Sequence, residues 1–177
     1  MSDVAIPLRR RIALVAVAAG ATAIVLRGTL ASALVTRGDE MLYAGQRMRA
    51  LAFYRRALLV DENDADAVDR YVFLSMTLHR ADALRRAVAV ATRFLTIRPA
   101  DARVRFDRAL CEWRLKRAPQ AERDFVAVAR VKRDARAYVF AGYAAAATGA
   151  QERARQWWRA ALALDAAYAP ARRALSR

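Results

Sequence analysis

Apolar and polar positions alternate with helical spacing across most of this chain, and the spacing itself recurs. An alanine is followed four residues later by a bulky or small apolar residue and three later by another, at Ala50/Tyr54/Ala57, Ala87/Ala91/Phe94, Ala121/Phe125/Val128 and Ala154/Trp158/Ala161. The leading alanines stand 37, 34 and 33 residues apart. A period of that length marks a stack of helix pairs, each burying its apolar face only against its neighbours, so the pattern predicts a short solenoid. No stretch combines β-branched alternation with hairpin turns, and 177 residues carry only six Gly and four Pro, so the fold expected is all-α with long helices.

A different pattern precedes the repeats. Arg9, Arg10 and Arg11 are followed by an uncharged apolar run of fifteen residues from Ile12 to Leu26, then Arg27-Gly28 and a further apolar stretch from Thr29 to Val35. Fifteen helical residues rise only about 22 Å against a hydrocarbon core of roughly 30 Å. Taking in Leu8 and the stretch after Gly28, with Arg27 snorkelling towards the outer interface, brings the run to about twenty residues, enough to span. A cleavage site of the Ala-x-Ala type stands at Ala31-Ser32-Ala33, but Arg27 separates it from the apolar run. An uncleaved transmembrane signal anchor is therefore expected over 12–32, after a cytoplasmic basic tail over 1–11. Basic residues stay on the cytoplasmic side, so the repeats are expected outside: in a bacterium, a single-pass inner-membrane protein with its repeat domain in the periplasm. The alternative is a buried helix of a soluble protein, against which stands a run that is apolar on every face.

Laid out together, the four units share more than alanine spacing. The last carries Tyr138, Ala141, Gly142, Ala145, Gly149, Ala154, Trp158 and Ala161; the first Gly38, Gly45, Ala50, Tyr54 and Ala57; the second Tyr71, Leu74, Ser75, Leu78, Ala87 and Pro99. This arrangement resembles the tetratricopeptide repeat family over residues from about 31 to 168. The resemblance implies a superhelix of about four helix pairs, a solenoid over 33–168, with 169–177 as a capping helix whose Pro170 lies in the first turn and whose Leu175 covers the last unit. Asp64 and Asp101 are plausible helix caps between units. The apolar segment overlaps the first repeat helix, so one continuous helix is expected to run from the anchor into the solenoid.

The third unit departs from the pattern. Counted back from Ala121, its buried positions become Arg105, Arg108, Ala109 and Glu112, which a repeat core would not accept unpaired. Moving that helix by one residue gives Phe106, Ala109, Leu110 and Trp113, at the expense of a shorter turn, and this is the register expected. It makes Trp113 a packing residue. In the unmoved register Phe106 and Trp113 would line the groove.

The chain shows no catalytic constellation, phosphate loop, nucleophile elbow or metal-ligand cluster, so no enzyme activity, cofactor or metal is expected. Its one histidine, His79, sits at a helix end beside Arg80, and its one cysteine, Cys111, is expected to be buried and inert. Glu112 and Asp124 do not form an acid/base pair where arginines outnumber them. Thirty-two basic against seventeen acidic residues give a formal charge of +15, part of which a GC-rich genome would produce through arginine codons. Such a field attracts acidic partners. In the resembled family the first helix of each pair lines the concave groove, which implies Asp69, Val72, Met76, His79 and Arg80 in the second unit, Val104, Asp107, Cys111 and Arg114 in the third, and Arg136, Val139 and Tyr143 in the fourth. That surface suits a protein or peptide with apolar anchors and acidic flanks, so the expected function is a membrane-anchored scaffold that binds another envelope protein as an assembly or accessory factor. The alternative is a cytoplasm-facing basic adaptor for acidic proteins or nucleic acid, the latter disfavoured because the aromatics are spent on packing.

Overall fold

The structure, a computed structural model, describes residues 8–78 and 80–176, and the side chains of all of these except 8–16, 18 and 19. Among the described residues it is helical with no strand: α1 (Leu8–Tyr43), α2 (Arg47–Val60), α3 (Ala65–Thr77), α4 (Ala81–Ile97), α5 (Ala102–Arg114), α6 (Ala118–Lys132), α7 (Ala135–Ala147), α8 (Gln151–Leu164) and α9 (Ala169–Leu175). The chain forms two compact units, residues 1–67 and 68–177.

In the first unit α1 is one continuous helix of 36 residues, and among its described side chains the buried ones lie in its C-terminal part. Ala31 and Val35 are buried there, together with Ala50, Tyr54 and Ala57 of α2. Gly38 lets the two helices approach: a Cβ at that position would collide with the Tyr54 ring, 2.7 Å from its Cδ1. The Tyr54 hydroxyl donates to Asp39 Oδ1 at 2.6 Å, which satisfies the one polar atom that this buried ring brings inside. Further up α1, Ile24, Val25, Leu26 and Leu30 are exposed. Arg27, expected to point towards a membrane interface, instead donates from Nε to the carbonyl of Val60 at the end of α2. The described residues include no helix long and apolar enough to cross a membrane. The tail over 1–7 lies outside them.

The second unit stacks α4 to α9 in chain order, each helix packing on the next. The apolar stripe of α4, Leu84, Ala87, Val88, Ala91, Phe94 and Leu95, recurs every three or four residues and is buried. Phe125 of α6 is fully buried, 5.3 Å from both Phe106 and Phe140, and joins α5, α6 and α7 in one core; burying a ring of this size contributes roughly 1.5–3 kcal/mol. In the last pair Trp158 lies over Gly142, where a Cβ would stand 2.5 Å from Trp158 Cδ1. Its Nε1 donates to the carbonyl of Val139 at 3.3 Å. Ala171 and Ala174 of α9 are buried on this pair, with Leu175 packed beside them.

The starts of α3, α5 and α7 are set by aspartate. Asp64 accepts from the Ala67 amide at 2.7 Å, Asp101 from Val104 at 3.0 Å, and Asp134 from Arg136 at 2.8 Å and Ala137 at 3.3 Å. Turns inside the pairs repeat one device, a backbone amide reaching five residues back: Gln46 to Met41, Arg117 to Glu112 and Ala150 to Ala145. The residue before each donor has positive φ. It is Gly45 and Gly149 in two of the turns, and Lys116, with φ 62°, in the third.

The register of the third pair is the unmoved one. α5 and α6 start at 102 and 118, α7 and α8 at 135 and 151, so both pairs have the same turn length and lie 33 residues apart throughout. Both sets of residues face the interior: Phe106 and Ala109 are buried as expected, with Leu110 and Trp113 packed against them, and Arg105, Arg108 and Glu112 are accepted alongside because their charges are paired. Arg108 grips Asp124 of α6 with two hydrogen bonds, 2.7 and 2.8 Å, while its Nη1 donates to Thr92 of α4 at 3.2 Å. Arg105 lies 3.6 Å from the same carboxylate, and Arg117 lies 3.3 Å from Glu112. Trp113 packs beside this core, half-buried.

Candidate functional site

The faces of α3, α5 and α7 line a cleft of about 450 Å³ in the second unit. Phe73 and Met76 come from α3, Phe106 and Leu110 from α5, and they make its surface mainly apolar. Six charged residues share it: Asp69, Arg103, Asp107, Lys132, Asp134 and Arg136. Two pairs form among these. Arg103 Nε meets Asp69 at 2.7 Å, tying α5 to α3, with the arginine 72% exposed and the carboxylate 9%. Arg136 lies 3.8 Å from Asp134, and its guanidinium sits over the Phe106 ring at 4.3 Å, a cation–π contact that fixes it beside the cleft.

Asp107 is different. It is half-buried and makes no hydrogen bond or ion pair with any of the described residues. Burial pushes its carboxyl up to about 6; Asp69 pushes the same way, and Arg103 and Arg136 oppose. Lys132, at the open edge, is exposed.

Of the groove residues expected from sequence, Asp69, Met76, Asp107 and Arg136 meet in this cleft. The others have different work. Val72 and Val139 are buried in the packing between helices, as are Val104 and Cys111. Burial, with Asp107 adding, pushes the Cys111 thiol up to about 12, so it carries no nucleophile at neutral pH. Arg114 Nη1 donates to the Met76 carbonyl at 2.6 Å and closes the end of α3. Arg80 precedes α4 and pairs at 3.1 Å with Asp82, whose carboxyl is held down to about 2 by hydrogen bonds from Arg80 and Arg86. Tyr143 packs edge-on to Trp158 with ring centroids 5.7 Å apart. His79 lies outside the described residues.

Phe73, Arg103, Leu110 and Lys132 line the cleft without having been expected there, and Phe106 lines it as the unmoved register implies. The cause in α5 is the register. One residue along a helix is a rotation of about 100°, so a frame displaced by one selects Val104 and Cys111 from the packed wall in place of Arg103, Phe106 and Leu110. The signal that finds them is Asp124, sixteen residues after Arg108 and able to pair with it across the helix pair.

Successive helix pairs, three of them with aspartate-capped starts and three with the same turn, and small residues beneath large rings define a tetratricopeptide-type fold. No family model and no curated sequence matches the chain. Solved structures do: the protein is similar to MamA from Desulfovibrio magneticus RS-1, at 22% identity and a TM-score of 0.68 over 77% of this chain and 76% of that one. A second MamA crystal structure matches at 14% identity with a TM-score of 0.71, over 78% and 80% of the two chains. YrrB, described as a tetratricopeptide repeat protein with an unusual peptide-binding site, matches at 19% identity with a TM-score of 0.54, over 81% and 91%. At these identities the likeness establishes the fold.

Proposed function

We propose that this protein is a docking scaffold, and that the cleft between α3, α5 and α7 holds an apolar segment of another protein without making or breaking a bond. The observation that carries this reading is the cleft itself. Phe73 is 51% exposed in it, and an exposed ring in an apolar depression with a charged edge suits a peptide. Lys132 and the guanidinium of Arg136 stand at that edge to receive acidic flanks. The description of YrrB as a peptide-binding protein is consistent with this use of the fold. The scaffold acts at a bacterial inner membrane, held by the N-terminal part of α1, with the helix pairs in the periplasm and an envelope protein as partner. Support for the anchor comes from the charge-free run Ile12 to Leu26 behind three arginines, and from Ile24, Val25, Leu26 and Leu30, which nothing in the first unit covers.

The test is site-specific photo-crosslinking in cells. A photoreactive residue at Phe73 is expected to trap a discrete protein adduct, and one at Arg159, exposed on α8, is not. Equal adducts from both, or none from Phe73, reject the cleft. A reporter active only outside the cytoplasm, fused after Arg177, tests the membrane part separately; silence of that fusion rejects it.

A further inference from the structure

The partner chemistry can be taken further from one carboxylate. In a chain of 32 basic and 17 acidic residues, the inward-facing acids each hold an arginine: Glu112 with Arg117, Glu122 with Arg153, Asp124 with Arg108 and Asp69 with Arg103. Asp107 faces the cleft with none. A half-buried carboxylate without a protein partner loses part of its hydration and gains nothing in exchange, a cost that a matching cation would remove. Its surroundings favour such a guest. Phe73 and Met76 offer apolar surface to the stem of a long side chain, and Arg136 already rests on the Phe106 ring in the manner a guest guanidinium would adopt.

We propose that the cleft recognises an arginine or lysine side chain within the apolar segment of its partner, with the cation paired to Asp107. The proposal rests on the docking function above and adds the residue that the docked segment must carry. Anionic flanks at Lys132 and a cation at Asp107 are compatible, since one lies at the edge and the other inside. The guest cation enters a field set from every side: Asp69 on α3, Asp101 and Arg103 at the head of α5, Cys111 one turn further along it, Lys132 and Asp134 from α6 and the turn after it, and Arg136 on α7. Burial raises the Asp107 carboxyl to about 6, so binding should strengthen as pH rises through that value.

The experiment selects peptides from a random dodecapeptide library displayed on phage, against the full chain. Enriched peptides are then synthesised and their affinities read by fluorescence anisotropy. Expected are peptides with Arg or Lys among apolar residues, bound about ten-fold or more weaker by Asp107→Asn, the loss set by one charge-assisted hydrogen bond. Their affinity for the parent chain falls between pH 7 and 5, and that fall is absent in Asp107→Asn. Peptides lost on Phe73→Ala but held equally by Asp107→Asn overturn the cation and leave the docking function standing. No enrichment, or peptides indifferent to both substitutions, overturns both. Asp107→Asn removes a poorly solvated charge and is expected to fold, which circular dichroism checks in the same samples.

Discussion

The third and fourth helix pairs occupy the same frame, 33 residues apart, and fill it with opposite chemistry. Where α7 presents Tyr138, Ala141 and Ala145 to its partner helix, α5 presents Arg105, Arg108 and Glu112. Where the fourth pair puts Trp158 over Gly142, the third puts Phe125 against a face that carries Ala109, a smaller ring above a larger floor. And where the fourth turns on Gly149, the third turns on Lys116 in the same left-handed conformation. The backbone arrangement thus does not depend on any one chemistry at these positions. It requires that volumes add up and that every inward charge has a partner.

The largest expected effect strikes the third pair. Asp124→Ala strands Arg108 and Arg105 inside and should cost about 3–5 kcal/mol in denaturant unfolding. Replacing Arg108 by Met and Asp124 by Leu together should regain most of that loss; if the double variant is no better than the single, the ion pair is not what holds α5 in register. Next comes the fourth pair, where Gly142→Ala drives a Cβ into the indole and should lower stability by about 1–3 kcal/mol, against about 1 kcal/mol for Ala109→Gly at the equivalent place in the third. Equal losses at the two sites would remove the volume argument.

A smaller effect concerns pH. Asp107 keeps its proton to about 6 in the folded chain against 3.8 for the ordinary value, so the folded state binds more protons in between, and stability should fall as pH rises through that window. After allowance for partial exposure the fall is up to about 2 kcal/mol, and Asp107→Asn should abolish it. Thermal unfolding at pH 4, 5 and 6 reads both. The smallest effect is a gain: Lys116→Gly relieves a left-handed lysine and should stabilise by about 0.5–1 kcal/mol, while Gly149→Ala should destabilise by a similar amount.

The fold was legible because its signals are local. Ala50, Ala87, Ala121 and Ala154 with their followers announce the second helix of each pair, and Asp64 and Asp101 announce the starts of others. The cleft was half legible: Asp69, Met76, Asp107 and Arg136 lie in it as expected, Phe106 was named only for the unmoved register, and Phe73, Arg103, Leu110 and Lys132 were missed. The reason is physical. Hydropathy treats a charged residue at a buried position as an error of register, and it has no way to know that Asp124 lies opposite Arg108 until the two helices are folded against each other. Val72 and Val139 failed for a related reason: both are buried under neighbouring helices, which the spacing along one helix does not reveal.

Arg108 touches both α4, through Thr92, and α6, through Asp124. In recombination terms this makes α4 to α6 a single heritable cassette. A chimera that imports α5 alone from a neutral repeat would leave Asp124 without its guanidinium, and one that exports it would carry two arginines into a site with no acid. Repeat arrays are often treated as interchangeable beads; here exchange is penalised inside the third pair by Arg108 and Asp124, and at the α6–α7 boundary by Glu122, which accepts from Arg153 and Trp157 of α8.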